Sequence, residues 1–184
     1  MSGPAGGGKA TAIIHFSAQY AEDVRALFIA INRALAPADR RETFEAYIAR
    51  SLEEEIGRIE DYYTKVGGLF RLAVAGETLG GMYGLEPQDA AHIELRRMYV
   101  AANFQRRGLA RQMLRDAERQ AAFRGYEKLV LSTSELQQAA LGLYSSAGFD
   151  LIREEIAETA SNKTIGGGIR RFHFEKRLGR EPMT

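Results

Sequence analysis

The spacing of apolar side chains along this chain shifts between two and three-to-four, and each shift marks an element. TAIIHF at 11–16 reads as a short strand. Val24, Leu27, Phe28, Ile31 and Leu35 then recur at three and four, as one face of a helix requires, and Pro37 ends that helix. Phe44, Tyr47, Ile48, Leu52, Ile56 and Ile59 keep the helical period, which predicts one long second helix from about Asp39 to Tyr63. Its remaining positions mix Arg and Glu, so Glu53, Glu54 and Glu55 are expected on a solvated face.

The period then falls to two. LFRLAV (69–74) and TLGGMYGL (78–85) flank Ala75-Gly76-Glu77, a hairpin turn, and HIELRRMYV (92–100) follows as a third strand. Strict alternation places His92, Glu94, Arg96, Met98 and Val100 on one face. Ala110, Met113, Leu114, Ala117 and Ala121 predict a helix from Gly108 to about Arg124, with Gly125 as its stop. KLVLST (128–133) reads as a buried strand, Glu135 to Ala147 as a helix closed by Gly148, and FDLIREEIA (149–157) and GIRRFHFEKRL (168–178) as two last strands. ETASNKTIGG (158–167) between them is polar and is expected to be an exposed loop. The order predicts an α/β (α+β) fold: a mixed, mostly antiparallel central sheet of about seven strands flanked by helices.

Composition narrows the function. The glycine-rich residues 1–10 have almost nothing to bury and read as a disordered leader, 11–178 as one domain, and 179–184 as a flexible tail. Gly3 to Lys9 fits part of a phosphate-binding loop, but Ala10 stands where a metal-binding Ser or Thr belongs and no strand precedes it. With no cysteine and three histidines, disulfides and thiolate metal sites are excluded and no metal is expected. A net charge of +1 lacks the basic field of a nucleic-acid binder. No run approaches the roughly 20 apolar residues of a membrane span, and no signal-peptide pattern opens the chain, so a cytoplasmic protein is the default expectation.

The stretch QRRGLA (105–110) carries the candidate chemistry. It sets Arg106, Arg107 and then Arg111 at a helix start, where the peptide dipoles already disfavour cations. A strand feeding a glycine-bearing loop into a helix aims several N–H groups at one point, so a phosphate or pyrophosphate would satisfy both the amides and the arginines. Alone, Q-x-x-G-x-A reads equally well as a helix cap with solvated arginines.

Taken together, HIELRRMYV, QRRGLARQML, KLVLST and ALGLYSSAGF resemble the GNAT superfamily of N-acetyltransferases, over roughly residues 69–156. The resemblance implies the acyl-CoA N-acyltransferase fold, with acetyl-CoA (coenzyme A) as co-substrate. It implies that Gln105, Arg106, Arg107, Gly108, Leu109 and Ala110 wrap the pyrophosphate. Met98, Tyr99 and Val100 would pair with the amide-bearing arm of the cofactor as an added strand would, and an N–H near Val100 would polarise the acetyl oxygen. Ser132, Thr133 and Ser134 would meet the pantetheine from the neighbouring strand. Gln137 stands where many relatives carry a cofactor-touching asparagine.

Tyr144 aligns with a tyrosine that acts as general acid toward the sulfur; a phenol of pKa about 10 is protonated at neutral pH and can donate. Glu94 aligns with the base, acting directly or through water, and burial among apolar neighbours would raise its pKa. The plainer reading of Glu94 is an ion pair with Arg96 or Arg97. His92 and His173 are weaker candidates for the base. The expected acceptor is a small-molecule amine. Alternatives are a protein or peptide amino group, or a non-catalytic CoA-binding module. No nucleic acid or membrane partner is expected, and a homodimer through the exposed final strand is.

Overall fold

The computed structural model describes residues 10–179, so the expected leader and tail lie, apart from Ala10 and Gly179, outside the described residues. Seven strands are present: β1 (Thr11–His15), β2 (Leu69–Ala75), β3 (Thr78–Pro87), β4 (His92–Val100), β5 (Lys128–Ser134), β6 (Asp150–Ala157) and β7 (Ile169–Arg177). They form one sheet in the order β1-β2-β3-β4-β5-β7-β6. Every neighbouring pair is antiparallel except β4 and β5, which run parallel. The mixed sheet follows the sequence expectation.

Helices cover both faces. On one lie α1 (Ala21–Leu35), α2 (Arg41–Glu54) and α3 (Ile59–Lys65), whose Val24, Phe28, Ile48 and Ile59 pack against Leu72 and Met82 of the sheet. On the other lie α4 (Leu109–Phe123) and α5 (Gln138–Ser146), where Met113 and Leu114 pack against Leu85, Ile93, Leu95 and Leu129. Each fully buried aliphatic side chain among these stabilises the fold by about 1.5–3 kcal/mol relative to exposure.

The second helix is not continuous. It stops at Glu54, Glu55 adopts φ −141° and ψ −65°, and a 3-10 turn at Ile56–Arg58 leads into α3. Gly57 permits the turn, since a Cβ there would lie 2.4 Å from the Leu52 carbonyl oxygen. Helical periodicity survives on both sides of the break, which is why apolar spacing alone reads through it. The break delivers Glu55 to the interior, with none of its surface exposed, instead of to the expected solvated face. Two ion pairs, to Arg96 at 2.9 Å and Arg97 at 2.7 Å, hold it there and outweigh its solvation.

Two smaller departures concern the second half. β5 continues through Ser134, so α5 begins at Gln138 and not at Glu135. The last strand in sequence, β7, is inserted between β5 and β6, so the edge at that end of the sheet is β6 and not the final strand, and Leu151, Ile152 and Ile156 on it are about half exposed.

Candidate active site

A bulge in β4 organises the site. Pairing with β3 advances from Gly84↔Arg96 to Met82↔Tyr99, so β4 carries one extra residue, and Arg97 takes a left-handed φ of 55°. An inserted residue reverses the facing of everything beyond it. Ile93 and Leu95 before the bulge, and Met98 and Val100 after it, therefore share the α4/α5 face. Arg96, Arg97 and Tyr99 face the α1–α3 layer, where Arg97 lies over the Phe28 and Tyr47 rings and Arg96 over Tyr62. The single face expected for Glu94, Arg96, Met98 and Val100 does not exist: Glu94 and Arg96 lie on one side of the sheet, Met98 and Val100 on the other.

The sheet forks at the same place. β4 and β5 pair only from His92↔Lys128 to Leu95↔Leu131. Beyond that, β4 stays with β3 to Gly81↔Val100 and β5 stays with β7 to Ser134↔Arg171. The inner backbone edge of residues 96–100 is left without a strand partner. A cavity of about 800 Å³ fills the α4/α5 side of the fork, with Met98, Val100, Gln105, Gly108, Leu136 and Tyr144 in its wall.

One end of this cavity is the start of α4. Gly108 holds φ 78°, Arg106 holds φ 61°, and the first helical bond runs from the Gln112 N–H to the Gly108 oxygen at 3.0 Å. The N–H groups of the preceding turn have no helical acceptor and carry the positive end of the dipole. A Cβ on Gly108 would meet nothing within 4 Å, so its surroundings are open. Arg106 and Arg107 are exposed, buried Leu109 pins the helix, and Ala110 lines the cavity. Gln105 Nε2 donates to the Val100 oxygen at 3.2 Å, and the Phe104 ring packs against Gly80, so the loop is tied to the sheet. Arg97 and Arg106, the non-glycine residues with positive φ among the described residues, flank this one segment. Strain of about 1–3 kcal/mol at such positions persists where the surroundings enforce it, and it clusters at ligand sites.

Tyr144 stands at the other end. Its ring packs on Phe149 and Phe174, at centroid distances of 5.7 and 6.0 Å, and only 6% of its surface is exposed. Burial pushes the phenol well above its ordinary pKa, with the nearby Tyr99 phenol acting in the same direction, so it is protonated at neutral pH. Tyr99 itself is pushed up to about 12, chiefly by burial. Thr133 Oγ1 donates to Gln137 Oε1 at 2.8 Å, which fixes Gln137 at the head of α5 beside the cavity. Ser132, one residue earlier, points through the opposite face and accepts from Arg171 at 2.6 Å.

A second, smaller cavity of about 90 Å³ opens on that opposite face and shares Met98, Tyr99, Gln137 and Tyr144 with the first. Glu94 lines it, but not among the apolar neighbours expected. Its Oε2 accepts from Lys163 Nζ and from Gln88 Nε2, each at 2.9 Å. The expected partners Arg96 and Arg97 are engaged elsewhere: Arg96 with Glu86 and Glu55, Arg97 with Glu55. Burial opposes the charge on Glu55, yet Arg97 and Arg96, with the Tyr63 hydroxyl, hold its carboxyl below the ordinary range. Glu86 is likewise lowered against burial, by Arg96 and Lys163. Gly84 makes room for this network, because a Cβ there would lie 2.2 Å from the Tyr63 hydroxyl that donates to Glu55 at 2.7 Å.

Residues 158–168 are not the open loop that their polarity suggests. Asn162 offers its carbonyl to Arg97 at 2.5 Å, Lys163 reaches Glu94 and Glu86, and Ile165 packs with the α1–α3 core. The segment roofs the smaller cavity. Neither weaker candidate for the base lines either of these two cavities: His92 binds Asp89 at 2.8 Å in the preceding turn, and His173 binds Glu155 at 2.7 Å. Sequence reasoning missed Glu55, Lys163, Asn162 and Arg171. Gly57 just after three glutamates was a legible sign of the helix break; the others carry no local signal.

Strand order, fork, helix-start cradle and buried tyrosine together define an acyltransferase-type fold. Comparison places it: the acetyltransferase (GNAT) family matches over residues 33–149, and the chain belongs to that family. It is 33% identical over 116 residues to N-acetylaspartate synthetase of Danio rerio, a match covering 62% of this chain and 41% of that protein. Among solved structures, an acetyltransferase of the GNAT family from Staphylococcus aureus Mu50 superposes with a TM-score of 0.71 at 19% identity, covering 92% of this chain and all of that one. The PaiA N-acetyltransferase of Thermoplasma acidophilum, solved in complex with coenzyme A, gives a TM-score of 0.71 at 20% identity, covering 91% and 99% of the two chains.

Proposed function

We propose that this chain is an acetyl-CoA-dependent N-acetyltransferase that delivers the acetyl group to the primary amine of a small molecule by direct attack on the thioester. The observation that carries the reading is the fork between β4 and β5, whose cavity runs from the α4 start to Tyr144. The residues fit the cofactor. Free N–H groups and Arg106 and Arg107 suit a pyrophosphate, and the unpaired edge at 96–100 suits an amide-bearing arm laid along it as an extra strand. The relative solved with coenzyme A shares this fold.

Chemistry then needs a neutral amine, an oxyanion donor and a proton for the departing thiolate. Glu94 is the base. An acceptor ammonium, of pKa about 10.4 if lysine-like, gives up a proton to Glu94 or to a water on it, and the free nitrogen attacks the carbonyl carbon. The Val100 N–H steadies the developing oxyanion. The carbon–sulfur bond breaks, the Tyr144 hydroxyl protonates the sulfur, the surplus proton on the acylated nitrogen passes to the tyrosinate and restores the phenol, and the amide and free thiol leave. Lys163 Nζ, 2.9 Å from Glu94, occupies the place an incoming ammonium would take, so substrate entry displaces it.

The smaller cavity, about 90 Å³ and roofed by residues 158–168, favours a small acceptor over a protein amino group. The test is a panel of amines with acetyl-CoA, following thiol release. Turnover dependent on a small amine supports the reading. Cofactor binding without turnover of any amine or peptide points to a non-catalytic module.

A further inference from the structure

Within the acceptor cavity the charges do not balance. Arg96, Arg97 and Lys163 are each paired with Glu55, Glu86 or Glu94. Arg171, on the strand facing them, lines the same cavity and has no carboxylate within ion-pairing distance among the described residues. The hydrogen bond found for it is to a neutral hydroxyl, Ser132 Oγ at 2.6 Å. The two acids whose charge reaches it are committed elsewhere: Glu94 to Lys163 and Gln88, and Glu155 to His173 and Arg153. Guanidinium presents five donors in a flat fork matched to a carboxylate, so a single hydroxyl leaves most of that capacity unused. A half-buried cation without a counter-charge is costly unless a ligand provides one. Burial also draws this guanidinium below its ordinary pKa, the sign of a charge held away from water.

We propose that Arg171, with Ser132 steadying it, is a carboxylate anchor in the acceptor site, and that the acceptor is an amine that also bears a carboxylate, of amino-acid type. The inference rests on the functional reading above and deepens it. Glu94 and Arg171 then form a dipolar pair, one facing the ammonium and the other the carboxylate of the same small molecule. Lys163 leaves Glu94 as the ammonium arrives, beneath a roof segment that Asn162 keeps tied to Arg97.

The test compares the common L-amino acids with their carboxamides, with acetyl-CoA and the full chain, in wild type, Arg171→Gln and Arg171→Lys. At least one amino acid is expected to exceed its own amide in kcat/KM by about 30-fold, the scale of a charge-assisted bond in a partly dry pocket. In Arg171→Gln that ratio falls to near one, and Arg171→Lys restores part of it. A ratio that survives Arg171→Gln, an equal loss for acid and amide, or acetylation of simple amines but of no amino acid overturns the inference. Calorimetry with acetyl-CoA on the same proteins separates the two claims. Cofactor binding with amine turnover but no carboxylate preference sinks the anchor alone, whereas absence of cofactor binding sinks the functional reading.

Discussion

The two sides of the fork are built in opposite ways. The α4/α5 side is mostly local in sequence: Met98 to Arg111 is nearly one continuous stretch, Leu136 to Ser146 adds the α5 segment, and Ile31 and Leu35 of α1 are the distant contributors. The opposite side is assembled from afar, with Glu55 at a helix break, Glu86 and Glu94 on adjacent strands, Asn162 and Lys163 on a roof segment, and Arg171 on β7. The first is apolar with backbone donors at one end; the second is a chain of buried charges. A fixed ligand can be met by backbone geometry, which local sequence specifies, while a variable one is met by side chains that only the tertiary fold brings together.

Breaking the long-range side is expected to have the largest effect. Glu55→Gln leaves Arg96 and Arg97 buried with too little negative charge, and loss of one partner of such a pair costs about 3–5 kcal/mol. Urea denaturation at neutral pH reads this directly, and a loss below about 1 kcal/mol would contradict the network's role. The local side answers through chemistry. Tyr144→Phe removes the acid while keeping the packing, so kcat is expected to fall about 100-fold. Calorimetry should show unchanged acetyl-CoA affinity, and an unchanged kcat would remove the tyrosine from the mechanism.

Gly108→Ala sharpens the contrast with a smaller effect. Its left-handed φ costs about 1–2 kcal/mol with a Cβ, so cofactor affinity should weaken about tenfold with little change in amine preference. The smallest effect is in acid. Folded Glu55 and Glu86 have lowered pKa values, so their contribution is complete above the unfolded carboxylate pKa of about 4.3 and is lost as pH falls through the folded values. Stability should be level from pH 7 to about 5 and decline below it, less steeply in Glu55→Gln. Equal acid slopes in the two proteins would remove Glu55 from that account.

The same contrast explains what was legible in the sequence. Strand and helix order, the glycine stop at Gly125 and the loop at 105–110 follow from periodicity and turn chemistry, which act over a few residues. The break at Glu55 was masked by helical spacing that continues on both sides, and Gly57 was its one local sign. The bulge at Arg97 was hidden because alternation carries no mark of an inserted residue, and it moved Met98 and Val100 away from Glu94. Residues 158–168 look like open loop by composition because their polar atoms meet partners that lie more than 60 positions away. Arg171 alternates like any strand residue, and only its lack of an ion-paired carboxylate among the described residues singles it out.

The central claim is that the forked sheet and the start of α4 hold the cofactor. Calorimetric titration of the purified chain with acetyl-CoA tests it most directly. The account predicts one saturable site whose affinity falls as salt is raised and falls further in the Arg106→Glu, Arg107→Glu double variant. No heat of binding, or an affinity indifferent to both salt and charge reversal, would contradict it.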